Sequence, residues 1–160
     1  MRKITLFALF FLAAYAASAQ LPPPCTPGQQ PADNCEDACI YCNFGSFTGS
    51  TNGYTPSSAA GFCGSLENEQ WLGFIAGVSS ITFIATPINC ANGDGIQIAL
   101  YESCSGTPLD CAGGQDMGGN IPVELTDVAV NPGSNYYLLI DGFGGDMCTF
   151  SVTLDPPNGG

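Results

Sequence analysis

The side chains with which this chain could do chemistry are carboxylates, thiols and aromatic rings. Beyond Lys3 it has no lysine, arginine or histidine. Without histidine there is no Ser-His-Asp or Cys-His pair and no imidazole to ligate a metal. Without lysine there is no Schiff base, and without arginine there is no bidentate clamp for carboxylate or phosphate. Glycine runs such as Gly142–Gly145 therefore read as turns rather than phosphate cradles, since no P-loop lysine accompanies them. Nucleic-acid binding is excluded on the same ground, because nothing neutralises the phosphates.

Clustered oxygens on glycine loops suit a hard cation such as calcium. Asp94 follows Asn92 on one such loop, and Asp141 and Asp146 flank another. Asp94, Asp141 and Asp146 are the candidate calcium ligands, with Asp33, Glu36 and Asp37 as a further acidic cluster upstream. The spacing matches neither an EF-hand nor a nonapeptide calcium repeat. Asp and Asn also make turns for reasons of their own, so solvated turns are the competing reading. Two carboxylates can hydrolyse a glycoside, and Glu67 and Glu69 stand beside Trp71, a ring that could stack on sugar. As near neighbours in a small chain without cleft-building insertions, they equally read as solvated acids ahead of a strand. Cys35, Cys39 and Cys42 with the distant Cys63 could form a four-cysteine zinc site, although export favours disulfides. Among the rings, Tyr54, Tyr101 and Phe143 lie near loops and are the candidates for ligand contact, where a ring beside acids and amides binds sugar. Most other aromatics read as core.

The compartment follows from both ends of this inventory. Arg2 and Lys3 precede an apolar run from Ile4 to Ala14, and Ala17-Ser18-Ala19 fits small-residue cleavage. Residues 1–19 thus read as a signal peptide, with Gln20 as the new N-terminus. The apolar run is short for a bilayer span, and no later run is longer. The exported part keeps 14 acids and no base, which favours solubility and repels anionic surfaces. All nine cysteines lie in it, and in an oxidising compartment they read as a disulfide framework with one left over. The turn-like Ser105–Pro108 points to a Cys104–Cys111 bridge. Weaker expectations are Cys90 with Cys148, and one of Cys35, Cys39 and Cys42 with Cys63; Cys25, in Pro-rich sequence, is the candidate for the odd thiol. No N-x-S/T sequon occurs.

The elements that must position these residues look all-β. Residues 20–33 are a Pro-rich extended lead, and 34–155 form one domain opened by a short helical turn near Cys35, with Asp33 or Asn34 as cap. Gly45–Ala60 reads as loop. Gln70–Ala76 and Ser79–Thr86 are strand-like, Ile96, Ile98 and Leu100 alternate with Gln97, Ala99 and Tyr101, and a strand pair is expected around Thr126-Asp127. Tyr136–Ile140 is apolar enough for a central strand, and Phe150, Val152 and Leu154 alternate with polar neighbours. Short strands between strong turn signals predict a disulfide-stapled β-sandwich, jelly-roll-like. Residues 156–160 have linker composition.

Three stretches carry a resemblance. They are Gly61–Gly77 (GFCGSLENEQWLGFIAG), Asn89–Cys104 (NCANGDGIQIALYESC) and Asn135–Val152 (NYYLLIDGFGGDMCTFSV). Together they resemble the N-terminal β-sandwich module of large secreted, gliding-motility-associated surface proteins of Bacteroidetes-type bacteria. The third is similar to the end of bacterial pre-peptidase C-terminal domains. The resemblance implies a non-catalytic module exported to the cell surface, and it brings no catalytic residues.

The combined reading is a secreted or cell-surface binding and adhesion module, with an extracellular polymer or surface glycan as partner and calcium as the cofactor its loops could carry. The alternative is a structural spacer or folding module of a longer secreted protein, and a carboxylate glycoside hydrolase is a distant third. One expected outcome follows from charge alone. Acids without cationic partners repel one another, so thermal melts should show a melting temperature that rises with added sodium or calcium chloride. A melt indifferent to both salts would contradict it.

Overall fold

A computed structural model describes residues 21–42, 46–113, 120–157 and 159–160; the signal-peptide reading of 1–19 lies outside them. Eight strands run in chain order: β1 (Phe47–Ser50), β2 (Gln70–Ile75), β3 (Ser80–Cys90), β4 (Ile96–Tyr101), β5 (Asp110–Gly113), β6 (Val123–Ala129), β7 (Asn135–Gly142) and β8 (Cys148–Asp155). They form two four-stranded sheets, ordered β1-β8-β3-β6 and β2-β7-β4-β5, with every strand pairing antiparallel. The chain is an all-β, disulfide-stapled sandwich. Among the described residues no helix is long and apolar enough to cross a membrane.

The first sheet behaves as its pattern dictates. In β8 the residues Phe150, Val152 and Leu154 are buried, while Thr149 and Thr153 face out. β3 alternates likewise through Ile81, Phe83 and Ala85, and then continues through Pro87, beyond its pairing with β6 at Ala85. A register shift between Pro87 and Asn89 lets the ladder absorb a residue that cannot donate. The strand pair expected around Thr126-Asp127 is one strand, β6, carrying a bulge. Asp127 has φ 52° there, and its N–H donates to Thr82 Oγ1.

The second sheet is different, because both of its faces are covered. Every residue of β4 is buried, and β7 is buried from Tyr136 onward. Leu72, Phe74, Ile98, Leu100, Leu138 and Ile140 face the interior shared with the first sheet. Trp71, Ala99, Tyr101, Tyr137 and Leu139 face the opposite way, into a second apolar cluster with Cys35 and Ala38 and with the flanking Ala59, Phe62 and Leu66. The alternation in β4 therefore does not mark a wet face. Residues 21–42, joined by the loop that carries Ala59, Phe62 and Leu66, form an outer layer. Its Pro-rich stretch is extended, yet it seats on the sheet: Ala32 bridges to Trp71, Ile40 to Gly73, and Pro24 to Ile40. A Cβ at Gly73 would stand 2.8 Å from the Cys39 carbonyl oxygen, so glycine is required where the layer crosses β2.

Disulfides fasten this layer. Cys35 joins Cys104, Cys63 joins Cys111, and Cys25 joins Cys39 within the layer; Cys90–Cys148 links β3 to β8. The expected Cys104–Cys111 bridge is absent because of hairpin register. The turn does form, with Leu109 N–H donating to the Leu100 carbonyl, but Cys111 then stands opposite Ala99. Cys104 is left in the loop above, so the two sulfurs take separate partners from the outer layer. The unpaired cysteine is Cys42, exposed, rather than Cys25. The short turn at Cys35–Asp37 is a 3₁₀ turn whose N-cap Asn34 makes no side-chain capping bond; Asp33 instead accepts from the Thr55 amide and hydroxyl. At the other end Gly159 is buried and accepts from Gly77 N–H, so the linker-like terminus packs on the sandwich.

Replacing both Cys35 and Cys104 by serine releases a closure of 69 residues. In the chain-entropy account this costs about 2–5 kcal/mol of stability. The urea midpoint should fall accordingly, and an unchanged midpoint would show that packing and the remaining Cys63–Cys111 bridge hold the layer without it.

Candidate functional site

The acids singled out for metal binding come together in the structure, but as anchors for loops. Asp141 lies on the covered face of β7, fully buried. Its Oδ1 accepts from the backbone N–H groups of Glu67 (3.1 Å) and Asn68 (2.8 Å), and its Oδ2 accepts from Gln97 Nε2 (2.6 Å). Gln97, its cross-strand neighbour on β4, also donates to the Ser65 carbonyl. The loop 65–68 is thus fixed to the middle of the sheet by one carboxylate.

Asp146 repeats the device at the end of the sandwich. Its carboxylate accepts from Asn92 N–H (2.8 Å), Asp94 N–H (2.7 Å) and Gly95 N–H (3.2 Å). Asn68 couples the two anchors, donating from Nδ2 to the Asp146 carbonyl and accepting Gly142 N–H at Oδ1. Thr51 adds a third tie, donating to the same carbonyl and accepting Cys148 N–H. A Cβ at Gly142 would collide with the Asp146 carbonyl and with Asn68 Oδ1, which accounts for the glycine.

Asp94 enters this network through its amide, while its side chain lies on an exposed residue. The Asp141 and Asp146 oxygens are met by N–H donors, whose positive ends occupy the directions from which a cation would approach. Among the described residues, the group of acids and thiols close enough to share a metal is Cys90, Asp146 and Cys148. Two of these are joined to each other as a disulfide, so they offer no thiolate. The cysteines of the zinc reading are likewise divided, with Cys35, Cys39 and Cys63 in three separate bridges.

The two anchors titrate in opposite senses. Burial pushes Asp141 up to about 6 from an ordinary 3.8; hydrogen bonds from Gln97, Asn68 and Glu67 oppose the rise, and the Glu67 charge adds to it. For Asp146 burial also raises the pKa, but the amides of Asn92, Asp94, Gly95 and Met147 outweigh it and hold the group below its ordinary range.

Of the hydrolase trio, Glu69 and Trp71 are buried. Glu69 Oε1 accepts from Ser57 N–H at 2.5 Å. Among the described residues, its Oε2 and the Trp71 indole nitrogen find no partner. The pair lies beneath the outer layer rather than in an open cleft.

The three candidate rings separate. Tyr101 is fully buried, its ring centroid 5.2 Å from that of Trp71 with the planes tilted by 54°. Phe143 is half-buried in a 3₁₀ turn, where its N–H donates to the Gly95 carbonyl. Tyr54 alone of the three lines an open cleft, of about 410 Å³, with Gln30, Pro31, Asp33, Ser50, Asn52 and Gly53. Its hydroxyl donates to the Pro31 carbonyl at 3.4 Å. Gln30, Ser50 and Asn52 were not anticipated as site residues. Ser50 and Asn52 lie within four residues of Tyr54, whereas Gln30 comes from a separate stretch, and the seating of the N-terminal layer beside β1 brings it to them.

No protein-family model and no curated protein matches this chain. Among solved structures it is similar to the pre-peptidase C-terminal domain of a collagenase from Bacillus anthracis, at 18% sequence identity and a TM-score of 0.45. That match covers 68% of this chain and 86% of that domain.

The sign of the pH response follows from Asp141. Its folded-state pKa lies above the ordinary value, so the folded protein takes up this proton first. The contribution is favourable at acid pH and is lost as pH rises through about 6. Asp141→Asn keeps an acceptor for the Glu67 and Asn68 amides. It should flatten the change in chemical-denaturation midpoint between pH 4 and 7, and an unaltered slope would assign that dependence elsewhere. Asp141→Ala strands three buried donors and should cost about 3 kcal/mol or more.

Proposed function

We propose that this chain is a non-catalytic extracellular binding module whose ligand is a neutral glycan or similar surface polymer. The observation that carries the reading is the Tyr54 cleft. An aromatic ring stands there among neutral amides and hydroxyls, Gln30, Asn52 and Ser50. A few polar groups that both donate and accept, beside a ring, make a combination suited to a polyhydroxylated ligand. The acid in the cleft, Asp33, is engaged by Thr55 at 3.0 Å and 3.2 Å, so it shapes the wall rather than attacking a substrate. The disulfide framework suits an oxidising, extracellular setting.

The spacer reading also has an observation in its favour: Tyr101 is buried and the three candidate rings do not share a patch. One experiment separates the two. The oxidised protein is applied to insoluble neutral polysaccharides with calcium and with chelator. The expected result is retention indifferent to the chelator and reduced at least tenfold by Tyr54→Ala. Retention lost on chelation would return calcium to the mechanism, and absence of retention under every condition would favour the spacer.

A further inference from the structure

Two buried polar atoms beneath the outer layer lack the partners that the fold supplies elsewhere. The other buried carboxylates, Asp141 and Asp146, gather three donors each. Glu69 is just as buried, yet its Oε1 takes one N–H, from Ser57, and its Oε2 takes none among the described residues. Two positions along, the Trp71 indole N–H is a buried donor with no acceptor among them. Buried polar groups are nearly always paired, so each orphan calls for an account. Both side chains turn toward the outer layer, Glu69 to Ser57 and Trp71 into the cluster with Cys35 and Ala38. A small chamber of about 120 Å³ lies there, and its wall includes Trp71, Ser57, Ser58, Asn34 and the Cys35–Cys104 disulfide. The Asn34 side chain makes no capping bond to the turn it precedes. Glu36 and Cys104 border this chamber and also a cleft of about 610 Å³ lined by Tyr137, so the chamber adjoins a wider space.

We propose that this chamber binds the acetamido group of an N-acetylated amino sugar. Whatever completes the two orphans must accept from Trp71 and donate to Glu69. A cation has nothing with which to accept, and an anion meets the carboxylates of Glu69 and Glu36. A neutral group that both donates and accepts remains. The chamber has room for about four water molecules, which is the bulk of the four non-hydrogen atoms of an acetamido group. Residues two apart on an extended chain stand about 6.8 Å from each other. A single hydroxyl oxygen would have to reach both orphans at once, whereas a secondary amide carries its acceptor and its donor on opposite edges. The carbonyl accepts from Trp71 Nε1, the N–H donates to Glu69 Oε2, and the methyl meets the disulfide, the apolar part of the wall. The sugar ring then lies in the adjoining cleft beside Tyr137. The proposal takes its ligand class, an uncharged glycan, from the reading above and names a site other than the Tyr54 cleft.

Trp71 is the only tryptophan of the chain, so isotope-labelled oxidised protein gives a single indole N–H resonance that reports on this site. The probes are chitobiose, which carries acetamido groups, and cellobiose, which lacks them. Chitobiose should move the resonance in a saturable way, and cellobiose should need at least tenfold higher concentration for the same shift. Ser58 is exposed at the chamber's rim. Ser58→Phe fills the entrance and should raise the chitobiose midpoint at least tenfold with the thermal melt near wild type. Trp71→Phe keeps a ring and removes the N–H; calorimetry should show chitobiose binding at least tenfold weaker, and if that variant fails to fold, Ser58→Phe decides. Glu124→Gln, on the other sheet, should change nothing. The proposal is overturned if neither disaccharide moves the resonance, if both move it alike, or if Ser58→Phe responds like wild type. A cross-peak from the indole N–H to a bound water that chitobiose leaves in place would give the orphans to buried water and also overturn it. Polysaccharide retention lost in Tyr54→Ala, with an indole that chitobiose leaves unmoved, would remove this site and keep the cleft reading. An indole response without retention that depends on Tyr54 would do the opposite.

Discussion

With no lysine, arginine or histidine after Lys3, a buried carboxylate must be satisfied by neutral donors, which at Asp141 and Asp146 are N–H groups, and this structure is arranged around that constraint. Asp141 and Asp146 each gather three donors, drawn from loops distant in sequence. An arginine or lysine would meet such an oxygen with a single flexible side chain. Backbone amides meet it only when a whole loop is held in one conformation. The charge is thereby converted into loop geometry: Glu67 and Asn68 are placed by one carboxylate, and Asn92 to Gly95 by the other. Asn68, bonded to both the 142 and 146 positions, makes the two placements interdependent.

The same arrangement explains why the outer layer can lie on a sheet face that contains a charge. β4 and β7 are apolar on both sides except for the row holding Gln97 and Asp141. Covering Trp71, Tyr101 and Leu139 removes apolar surface from water, which is the favourable term. Covering Asp141 and Gln97 would cost free energy if their hydrogen bonds were left unmade. The loop 65–68 supplies donors to Asp141 and an acceptor to Gln97 Nε2, while the buried Gln97 Oε1 has no partner among the described residues. The residual cost appears in the raised pKa of Asp141. Disulfides then bear much of the work of holding a layer with little regular structure of its own, since Cys35 and Cys63 both anchor to the β4–β5 hairpin.

How much of this was legible in the sequence depends on the range of the interaction. The sandwich class, the alternation of β8 and the central position of β7 are local patterns, and composition with periodicity exposes them. The outer layer was not legible, because a Pro-rich segment reads the same whether it hangs free or lies against β2. Only the all-round burial of β4 betrays it, and Gln97 and Tyr101 there mimic the polar side of an ordinary alternating strand. The Cys104–Cys111 pairing misled because turn residues show that two ends approach, while register decides which side chains meet. For the site, the acidic loops were recognisable as clustered oxygen, but the donors filling them are backbone groups, and backbone groups carry no sequence signal. Tyr54 was identifiable as a ring near polar residues. Ser50 and Asn52 lie close to it in sequence, but Gln30 arrives from the N-terminal layer and could not be named from spacing.

The division of polar groups between the two sheets bears on function. On the covered sheet the carboxylates face inward and are consumed by structure. On the bare sheet the outward positions are hydroxyls, and acids are confined to its margin. Strand propensity favours threonine at such positions whatever their role, so threonine alone says little. The solubility of so acidic a chain rests on the acids that stay exposed. Exposed acids at Asp37, Glu102, Asp110, Glu124 and Asp127 supply that solubility from loops, turns and edge strands. The covered sheet therefore spends its carboxylates on holding loops, while the acids that meet solvent stay at the edges and ends of the sandwich.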